Sequence, residues 1–556
     1  MNEIEISNKK YSSFFKSKVF FLVLSIWIIS LVLRFSVYDS EIPIFMDSLK
    51  SFSYAVDIHV LGGLPENYTV TKHGWSVFLA GLFHIFDFNE TMSYMQMQRV
   101  SSIVISSLTI FPLYFLCNRF VEAKYSIIGI ALFGFAPRLI ENSLYGTGDP
   151  LFILLFVITV LFFLNTSKKL VYLSFVLSGI CTIIRPEGIF LFFAIFLMLI
   201  FKFKKEKIKI PKYLFAGFLF LIIVMPFVMH NEEITPGQSV FSRIIHTSDK
   251  YFDSSNEDSD TGLNEQLINP GSGISVFTGL ENFPKYLGWV MIPMFIITAP
   301  IGFILFIKNL SYNRITIIVI AIVISIPAFY AYSYPILETK YLYSLFPLFC
   351  IFSILPLKLF IEKFQKKNIL IAIIMAILIL TSVLFYNYKV DSEHERESVL
   401  IAKKIIENNM AINDYYPESY YIRGLEVDER WMDFKSFHEN IERTNPDGTL
   451  RTMEYNFLPQ KTKVISLINE FGIDDSDKFD SVESFILEHD KQLTHLIVDT
   501  MDHRPNFLKD VFYNEQNYSY LIKEWDSKND GFTYHVKIFK INYELFNSKI
   551  HGEQLP

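Results

Sequence analysis

The amino-acid sequence predicts a polytopic α-helical membrane protein, with about eleven transmembrane helices followed by a C-terminal soluble α/β domain. The first observation is composition: of 556 residues, 51% are hydrophobic and only 19% are charged. The second is that long apolar runs crowd residues 1–387, and the third is that charged residues return abruptly after them. Soluble proteins of this size are less hydrophobic, so the first part of the chain is predicted to lie in a bilayer.

The apolar runs are predicted to be transmembrane helices, because a helix needs about 20 mostly apolar residues to cross the hydrocarbon core. Runs nearer to about 15 residues need polar ends or protein neighbours to do so. Buried helices of a soluble protein would carry charges along one face, and these runs lack them. The predicted spans are residues 15–33, 100–118, 125–142, 150–164, 170–184, 188–201, 213–229, 286–307, 315–331, 341–357 and 369–387.

Basic residues indicate the orientation of these spans. Lys and Arg are several times denser in the loops on the N-terminal side of the membrane than in the loops on the other side. Because cytoplasmic loops are enriched in Lys and Arg, the N-terminus is predicted to be cytoplasmic and the protein to lie in the plasma membrane. Residues 34–99 and 230–285 then form long outer loops. The segment Gly74–Phe86 is predicted to lie at the outer interface, because it is too short to span.

Residues 388–556 are predicted to form the soluble α/β domain on the outer side, since an odd number of spans places the tail opposite the N-terminus. Its charged stretches at Glu393–Asn408 and Lys461–Phe471 are typical of surface helices. Its apolar segments at Thr494–Val498 and Tyr534–Ile541 are typical of strands.

Ionisable side chains gather in the predicted outer loops, which is a functional signal because such groups are costly in or beside a bilayer. Asp47 lies in the first outer loop, and Lys72 stands just before the interfacial segment. Asp149 lies at the mouth of the fourth span, and Arg185 in the tight loop before the sixth. Lys340 stands at the outer start of the tenth span.

Three further candidates accompany them: Glu187 follows the arginine, Tyr341 follows the last lysine, and Tyr54 lies downstream of the first aspartate. Each candidate also has a purely structural interpretation. The two aspartates stand where helix caps are common. The arginine and Glu187 can pair with each other, and the last lysine can extend its ammonium to the membrane interface.

The order of these features resembles the GT-C superfamily of glycosyltransferases that use polyprenyl-phosphate sugars, especially the branch of protein O-mannosyltransferases and lipid A aminoarabinose transferases. That family has an acidic residue in the first outer loop, an Arg before the second span (here Arg99) and an acidic residue in the second outer loop. The resemblance covers roughly residues 15–360. The sequence departs from the family where Ser48 follows Asp47 in place of Glu, and where His73 stands in place of Pro.

The resemblance implies an inverting sugar transfer from a polyprenyl phosphate donor, dolichyl or undecaprenyl, to a protein, glycan or lipid acceptor. Asp47 is then the general base, and Arg185, Lys72 and Lys340 stabilise the leaving phosphate. Asp149 holds the acceptor or the sugar, or joins Asp47 in binding a divalent metal ion; no cofactor is certain. Glu187, Tyr341 and Tyr54 are expected to contact the substrates.

Other functions remain open at this point. A multi-pass transporter or flippase of lipid-linked or small polar substrates is the main alternative, although transporters usually show repeated halves, which are not visible here. An oligosaccharyltransferase would carry adjacent tryptophans, and this chain has none. Nothing in the formal charge of −7 indicates nucleic acid. The aromatic stretch 414–421 is a candidate substrate surface, and the acidic stretch Glu257–Asp260 lies in a loop long enough to cover the site.

Overall fold

The computed structural model of the chain is mostly helical. It describes residues 18–86, 88–202, 210–237, 239–242, 276–333, 336, 338–389, 392–413, 421–426, 462–465, 479–489, 492–501 and 504–551. The acidic stretch Glu257–Asp260 and most of the aromatic stretch 414–421 lie outside these residues.

Helices account for nearly all of the described chain before residue 390. Their bounds are α1 Lys18–Ser36, α2 Met46–Leu61, α3 His73–Ile85, α4 Thr91–Leu108, α5 Ile110–Cys117, α6 Ala123–Gly134, α7 Pro137–Leu144, α8 Asp149–Phe163, α9 Lys168–Ile184, α10 Gly188–Lys202, α11 Ile210–Ile234, α12 Val276–Met291, α13 Thr298–Lys308, α14 Tyr312–Ser333, a 3₁₀ helix at Thr339–Leu345, α15 Phe346–Glu362 and α16 Lys367–Lys389.

A helix occupies each predicted span, but the helices differ in length. Within the described residues, six are long and apolar enough to cross a membrane, or up to seven if the bent pair α6 and α7 is one span. Others, such as α8 with 15 residues and α13 with 11, are apolar but shorter. The predicted span 286–307 is divided between α12 and α13, with Pro293, which has no N–H to donate, in the break. The chain is therefore a membrane protein by its apolar helices, and the count of eleven spans stays a prediction.

The helical part shares one large apolar core, which extends from Val23 in α1 to Leu378 in α16. A second core joins α2, α3 and the start of α4, where Phe52, Phe83 and Tyr94 pack edge to face. The short helices α2 and α3 therefore pack against the helical bundle. This packing places the ends that carry the candidate residues side by side.

The C-terminal region, residues 392–551, contains both helices and strands. Its elements are α17 Ser392–Glu407, β1 Ile412–Asn413, β2 Val464–Ile465, α18 Val482–Glu488, β3 His495–Val498, α19 Asn506–Tyr513, β4 Leu521–Asp526, β5 Lys537–Ile541 and α20 Tyr543–His551. An antiparallel sheet has the order β3-β5-β4, and β1 pairs with β2 in parallel.

The predicted strands and the first predicted helix of this region are present as β3, β5 and α17. The predicted helix at Lys461–Phe471 is wrong in its described part, 462–465, which contains the strand β2. The charged pattern there favours a helix locally, but Val464 and Ile465 pair with β1 instead. Strand pairing partners thus outweigh local preference, as is usual for short segments.

Candidate active site

Short loops bring the candidate residues from separate helices to one place. Helix α3 begins directly after Lys72, and helix α8 begins at Asp149. Helix α9 ends directly before Arg185. The 3₁₀ helix before α15 carries Lys340 and Tyr341. Four segments that are distant in sequence therefore meet at the same ends of the helical bundle.

Two glycines allow this close approach. A Cβ on Gly74 would lie 2.5 Å from Cγ1 and 3.0 Å from the backbone nitrogen of Ile184. A Cβ on Gly148 would lie 2.8 Å from the Cβ of Trp75. Both distances are shorter than ordinary van der Waals contact, so a side chain at either position would push the loops apart. Glycine at these positions keeps the segment that carries Lys72 against the loops that carry the other charges.

The first group of charges is half-exposed, and we call it the exposed cluster: Asp47, Lys72, Lys340 and Glu338. Lys72 Nζ lies 2.9 Å from Asp47 Oδ2, and Lys340 Nζ lies 3.6 Å from the same oxygen. Lys340 also pairs with Glu338. The Asp47 side chain is 53% exposed. Its other oxygen, Oδ1, accepts no hydrogen bond from the part of the chain that the structure describes.

The second group is buried, and we call it the buried cluster: Arg185, Asp149 and Glu187. The Arg185 side chain is only 7% exposed. Its Nε and Nη2 donate to the two carboxylate oxygens of Glu187 at 3.2 and 2.6 Å, and its Nη1 donates to Asp149 Oδ1. Two carboxylates on one guanidinium make this cluster net negative.

A pocket adjoins the buried cluster and reaches Lys340 of the exposed cluster. The buried cluster, Lys340 and Tyr341 contribute to its wall. The remaining lining residues are Phe152, Ile153, Tyr343 and Ser344. Polar and charged groups thus face apolar side chains from the start of α8 across this small pocket.

The charges change the acidities of two carboxyl groups. The nearby Lys72 ammonium lowers the pKa of Asp47 well below its usual range; burial opposes this change, and Lys340 adds to it. Burial alone would raise the pKa of Glu187, but the Arg185 guanidinium lowers it to about 2. Both groups are therefore ionised at neutral pH.

Neither aspartate is a helix cap. The residues at the N-cap positions of α2 and α8 are Phe45 and Gly148, and neither helix has a side-chain cap hydrogen bond. Asp47 and Asp149 instead pair with cations from other segments. The structural alternative in which Arg185 and Glu187 pair with each other is realised, but Asp149 joins them.

Tyr54 is not brought to this pocket. It lies two turns after Asp47 on α2, which places it about 10 Å along the helix. Its side chain is fully buried against the rings of Tyr68 and His73. Its predicted contact with a substrate stays a prediction, and the geometry does not favour it.

Two participants were not among the candidates. Glu338 is two residues from Lys340, and this spacing in the sequence was a usable signal. Gln98 is a buried polar residue within an apolar helix, next to Arg99. Its Nε2 donates to the carbonyls of Ser48 and Gly146 at 2.9 and 2.8 Å. Gln98 therefore joins the loop of Asp47 to the loop before Asp149.

Arg99 makes a second connection between the same segments. Its Nη1 donates to the carbonyl oxygens of Asp39 and Ile42 at 2.7 and 2.8 Å, and its Nε donates to that of Leu144 at 2.8 Å. The Arg99 side chain is buried, so these bonds are protected from water. Arg99, the arginine that the family resemblance points to, therefore joins two backbone segments through hydrogen bonds in this structure.

The donor set does not fit a divalent metal ion between Asp47 and Asp149. Cationic side chains already lie on both carboxylates, and hard cations such as Ca²⁺ take six or more oxygen ligands. Over the described ranges, no group of three or more His, Cys, Asp or Glu residues is arranged to hold a metal.

Sequence comparison matches residues 75–230 to the family described as dolichyl-phosphate-mannose-protein mannosyltransferase. The matched stretch runs from α3 to α11 and includes Asp149, Arg185 and Glu187. It confirms the predicted resemblance to membrane glycosyltransferases. No curated protein sequence matches this chain.

The solved structures that align with this chain include the following two. ArnT from Cupriavidus metallidurans, bound to undecaprenyl phosphate, is 12% identical with a TM-score of 0.49, over 94% of this chain and 98% of that chain. The archaeal oligosaccharyltransferase AglB from Archaeoglobus fulgidus, in complex with an inhibitory peptide and a dolichol-phosphate, is 11% identical with a TM-score of 0.48. That alignment covers 87% of this chain and 70% of that chain.

Proposed function

We propose that this protein is an inverting membrane glycosyltransferase, which moves a sugar from a polyprenyl phosphate to a protein, glycan or lipid acceptor. The observation that carries the proposal is the exposed cluster, in which two lysines hold Asp47 beside a pocket lined by Asp149 and Arg185. The family match over residues 75–230 supports the reaction class and points to a hexose such as mannose.

The donor phosphate binds first to Lys72 and Lys340. Both ammonium groups are partly exposed and pair with carboxylates that are themselves half-exposed, so a phosphate can replace these carboxylates with little loss of solvation. Arg185 has three of its five N–H groups engaged by carboxylates. It therefore orients Asp149 and Glu187 and offers the phosphate its remaining N–H groups.

Asp47 takes the proton of the acceptor. Oδ2 faces the two lysines, which leaves Oδ1 for the acceptor O–H or N–H. As the acceptor atom bonds to the anomeric carbon, the bond from that carbon to the phosphate oxygen breaks. The lipid phosphate leaves with the electron pair, and the anomeric configuration inverts. The cations that bound the phosphate then stabilise the charge that develops on it.

Donor binding also prepares the base. In the free protein the two lysines make Asp47 a very weak base, since they lower its pKa. A phosphate that binds the same lysines neutralises their charge, so the Asp47 carboxylate becomes more basic when the donor is in place. A base is most effective when its pKa approaches the working pH, and this coupling limits proton abstraction to the complex with donor.

Asp149, Glu187 and Tyr341 line the pocket and are assigned to the hydroxyl groups of the sugar or the acceptor. Carboxylates that accept hydrogen bonds from a substrate hydroxyl discriminate strongly against molecules that lack it. Arg185 fixes the two carboxylates in place, so the specificity of the pocket is set before a substrate enters.

We assign the reaction to the outer face of the plasma membrane, with the N-terminus in the cytoplasm, about eleven spans and residues 388–556 outside. The density of Lys and Arg in the alternate loops supports this orientation. Helices at each predicted position support the span count, because helices shorter than a full span can cross where neighbouring helices surround them.

The test is transfer of label from radiolabelled polyprenyl-phosphate sugars by the reconstituted protein. Asp47→Asn is expected to lower kcat by about 10²–10⁴-fold, as loss of a general base does. Glu338→Gln is the matched control, because Glu338 pairs with the same Lys340 and its side chain is equally exposed, 52% against 53%. This control is expected to stay within about threefold of wild type, since exposed ion pairs contribute little.

Equal transfer by wild type and Asp47→Asn would remove Asp47 as the base. Movement of labelled lipid across the bilayer with no transfer to any acceptor would favour the transporter or flippase instead.

A further inference from the structure

The segment just before Asp47 packs against the C-terminal region. Ile42 is buried in an apolar cluster together with Ile401, Ala402 and Ile538 of that region. At the start of the same segment, Asp39 forms an ion pair with Arg396 of α17. The chain that leads into the exposed cluster is thus attached to a part of the protein that is more than 300 residues away in sequence.

The attachment also includes a close approach at a glycine. A Cβ on Gly424, in the short helical segment 421–426, would lie 2.6 Å from the carbonyl oxygen of Ile44 and 3.1 Å from the Cβ of Pro43. Real Cβ atoms do not approach backbone oxygen so closely, and a backbone cannot give way as a flexible side chain does. Glycine at position 424 therefore sets how near the two segments lie.

Aromatic rings fix the next residue. The ring of Phe45 lies edge to face with Tyr421 of the segment 421–426, at 5.4 Å between centroids, and with Tyr145 of the second outer loop at 6.0 Å. The Phe45 carbonyl accepts hydrogen bonds from the N–H groups of Ser48 and Leu49 at 3.1 and 3.4 Å. The Phe45 carbonyl thus accepts the hydrogen bonds that close the first turn of α2.

The backbone between Phe45 and Asp47 is strained. Met46 has a φ of 50°, a left-handed conformation that residues other than glycine rarely adopt. Such a conformation persists only when its surroundings hold it. The ion pairs of Asp47 are exposed and weak, and the Met46 side chain is itself exposed. The hydrogen bonds of Gln98 and Arg99 hold the chain on either side of this turn, and the segment 421–426 packs directly against Ile44 and Phe45.

Resting on the proposed function, we propose that the segment 421–426 positions the catalytic base: Gly424 and Tyr421 hold Ile44 and Phe45, and thereby aim the Asp47 carboxylate at the two lysines. The residues of the segment touch neither donor nor acceptor. Their effect passes through the left-handed turn at Met46. The C-terminal region is in this way a part of the active site without contributing a reacting group.

The experiment compares Gly424→Ala with Gly217→Ala in the full-length reconstituted protein. A Cβ on Gly217 meets nothing within 4 Å, so this control makes the same chemical change without the contact. Gly424→Ala is expected to lower kcat by about tenfold or more, because small displacements of a reacting group are costly. Its KM for the donor should change by less than about threefold, since Lys72 and Lys340 remain in place.

Amide hydrogen exchange gives a second measurement that does not depend on activity. The N–H groups of Ser48 and Leu49 should exchange faster in Gly424→Ala than in wild type, and at the wild-type rate in Gly217→Ala, because their bonds to Phe45 open when Ile44 is displaced. If Gly424 had only a structural role, Gly424→Ala would raise the amide exchange rates throughout the C-terminal region. It would not produce an increase confined to the start of α2.

A pair of substitutions at Tyr421 covers the case in which Gly424→Ala does not fold. Tyr421→Phe keeps the ring against Phe45 and should retain kcat, whereas Tyr421→Ala should reproduce the loss. Wild-type kcat and wild-type exchange at Ser48 in a folded Gly424→Ala or Tyr421→Ala protein would overturn the inference. If the wild-type protein transfers no sugar, the proposed function fails, and the exchange measurement still decides whether the segment holds the turn.

Discussion

The exposed cluster and the buried cluster contain the same kinds of side chain, but they are held in opposite ways. In the exposed cluster, the side chains of Asp47 and the two lysines are 35–53% exposed, and one carboxylate oxygen is not engaged within the described chain. In the buried cluster, Arg185 uses three N–H groups on two carboxylates, and water barely reaches it.

This contrast in exposure indicates which charges can change partners during a reaction. An exposed ion pair contributes about 0–1 kcal/mol and opens easily, so Lys72 and Lys340 can exchange Asp47 for a phosphate. Breaking a buried pair by removing one partner costs about 3–5 kcal/mol, because the other charge stays buried. Arg185 is therefore expected to remain paired with Asp149 and Glu187 while substrates bind and products leave.

The largest expected difference between the clusters is in stability. Arg185→Met leaves Asp149 and Glu187 buried and unpaired, and we expect it to lower the free energy of unfolding by about 3–5 kcal/mol. Lys72→Met, the matched change in the exposed cluster, should lower it by no more than about 1 kcal/mol. Denaturant or thermal unfolding of the purified protein in detergent measures both. Equal losses would show that burial does not separate the two clusters.

The next effect is on donor binding. Lys72→Met and Lys340→Met should each raise KM for the polyprenyl phosphate donor by about 10- to 100-fold, since a hydrogen bond to a charged group contributes about 1.5–3 kcal/mol. Lys358→Met is the control, because Lys358 pairs with Glu122 and takes no part in either cluster. Initial rates at varied donor concentration measure the KM of each variant. If the KM is unchanged in both Lys72→Met and Lys340→Met, phosphate binding is to be assigned to Arg185 instead.

The smallest effect is on pH dependence. The Lys72 ammonium is the main cause that lowers the pKa of Asp47, with Lys340 and Arg185 adding to it and burial opposing it. Without Lys72 the pKa of Asp47 rises, so the base becomes protonated, and transfer is lost, at a higher pH than in wild type. The acid limb of kcat/KM for the donor, which reports the free protein, should therefore move to higher pH in Lys72→Met. Lys72→Arg keeps the charge and should leave the limb in place; a shift of equal size there would argue against this cause.

The sequence singled out most charged residues of the candidate site, but it missed Glu338 and Gln98 and did not predict how the residues are grouped. Hydropathy located a helix at each predicted span, and the cost of charge near a bilayer singled out Asp47, Asp149 and Arg185. Their partners depend on which helix ends meet, and this is decided by contacts such as Gly74 against Ile184. The sequence gives no reason for Arg185 to pair with Asp149 and leave Asp47 to the lysines.

Two local patterns in the sequence did not reveal their tertiary neighbours. Tyr54 follows Asp47 in sequence, but two helical turns separate them, and Tyr68 and His73 cover its ring. The stretch after Lys461 has the charge pattern of a helix, but its described part pairs with β1 as a strand. The helix prediction is wrong in its described part, and the substrate contact of Tyr54 stays a prediction that the geometry does not favour. In both cases the neighbours that surround the residue come from elsewhere in the chain.

The sequence alone thus determined that this is a helical membrane protein with charged residues gathered at the helix ends, because hydropathy and the cost of charge are properties of each short segment. The tertiary structure was needed to learn which charges are buried, which remain open to a ligand, and that residues 421–426 pack against the segment before Asp47. Those outcomes depend on distances between atoms far apart in the chain. Packing fixes such distances, and packing is a property of the whole fold.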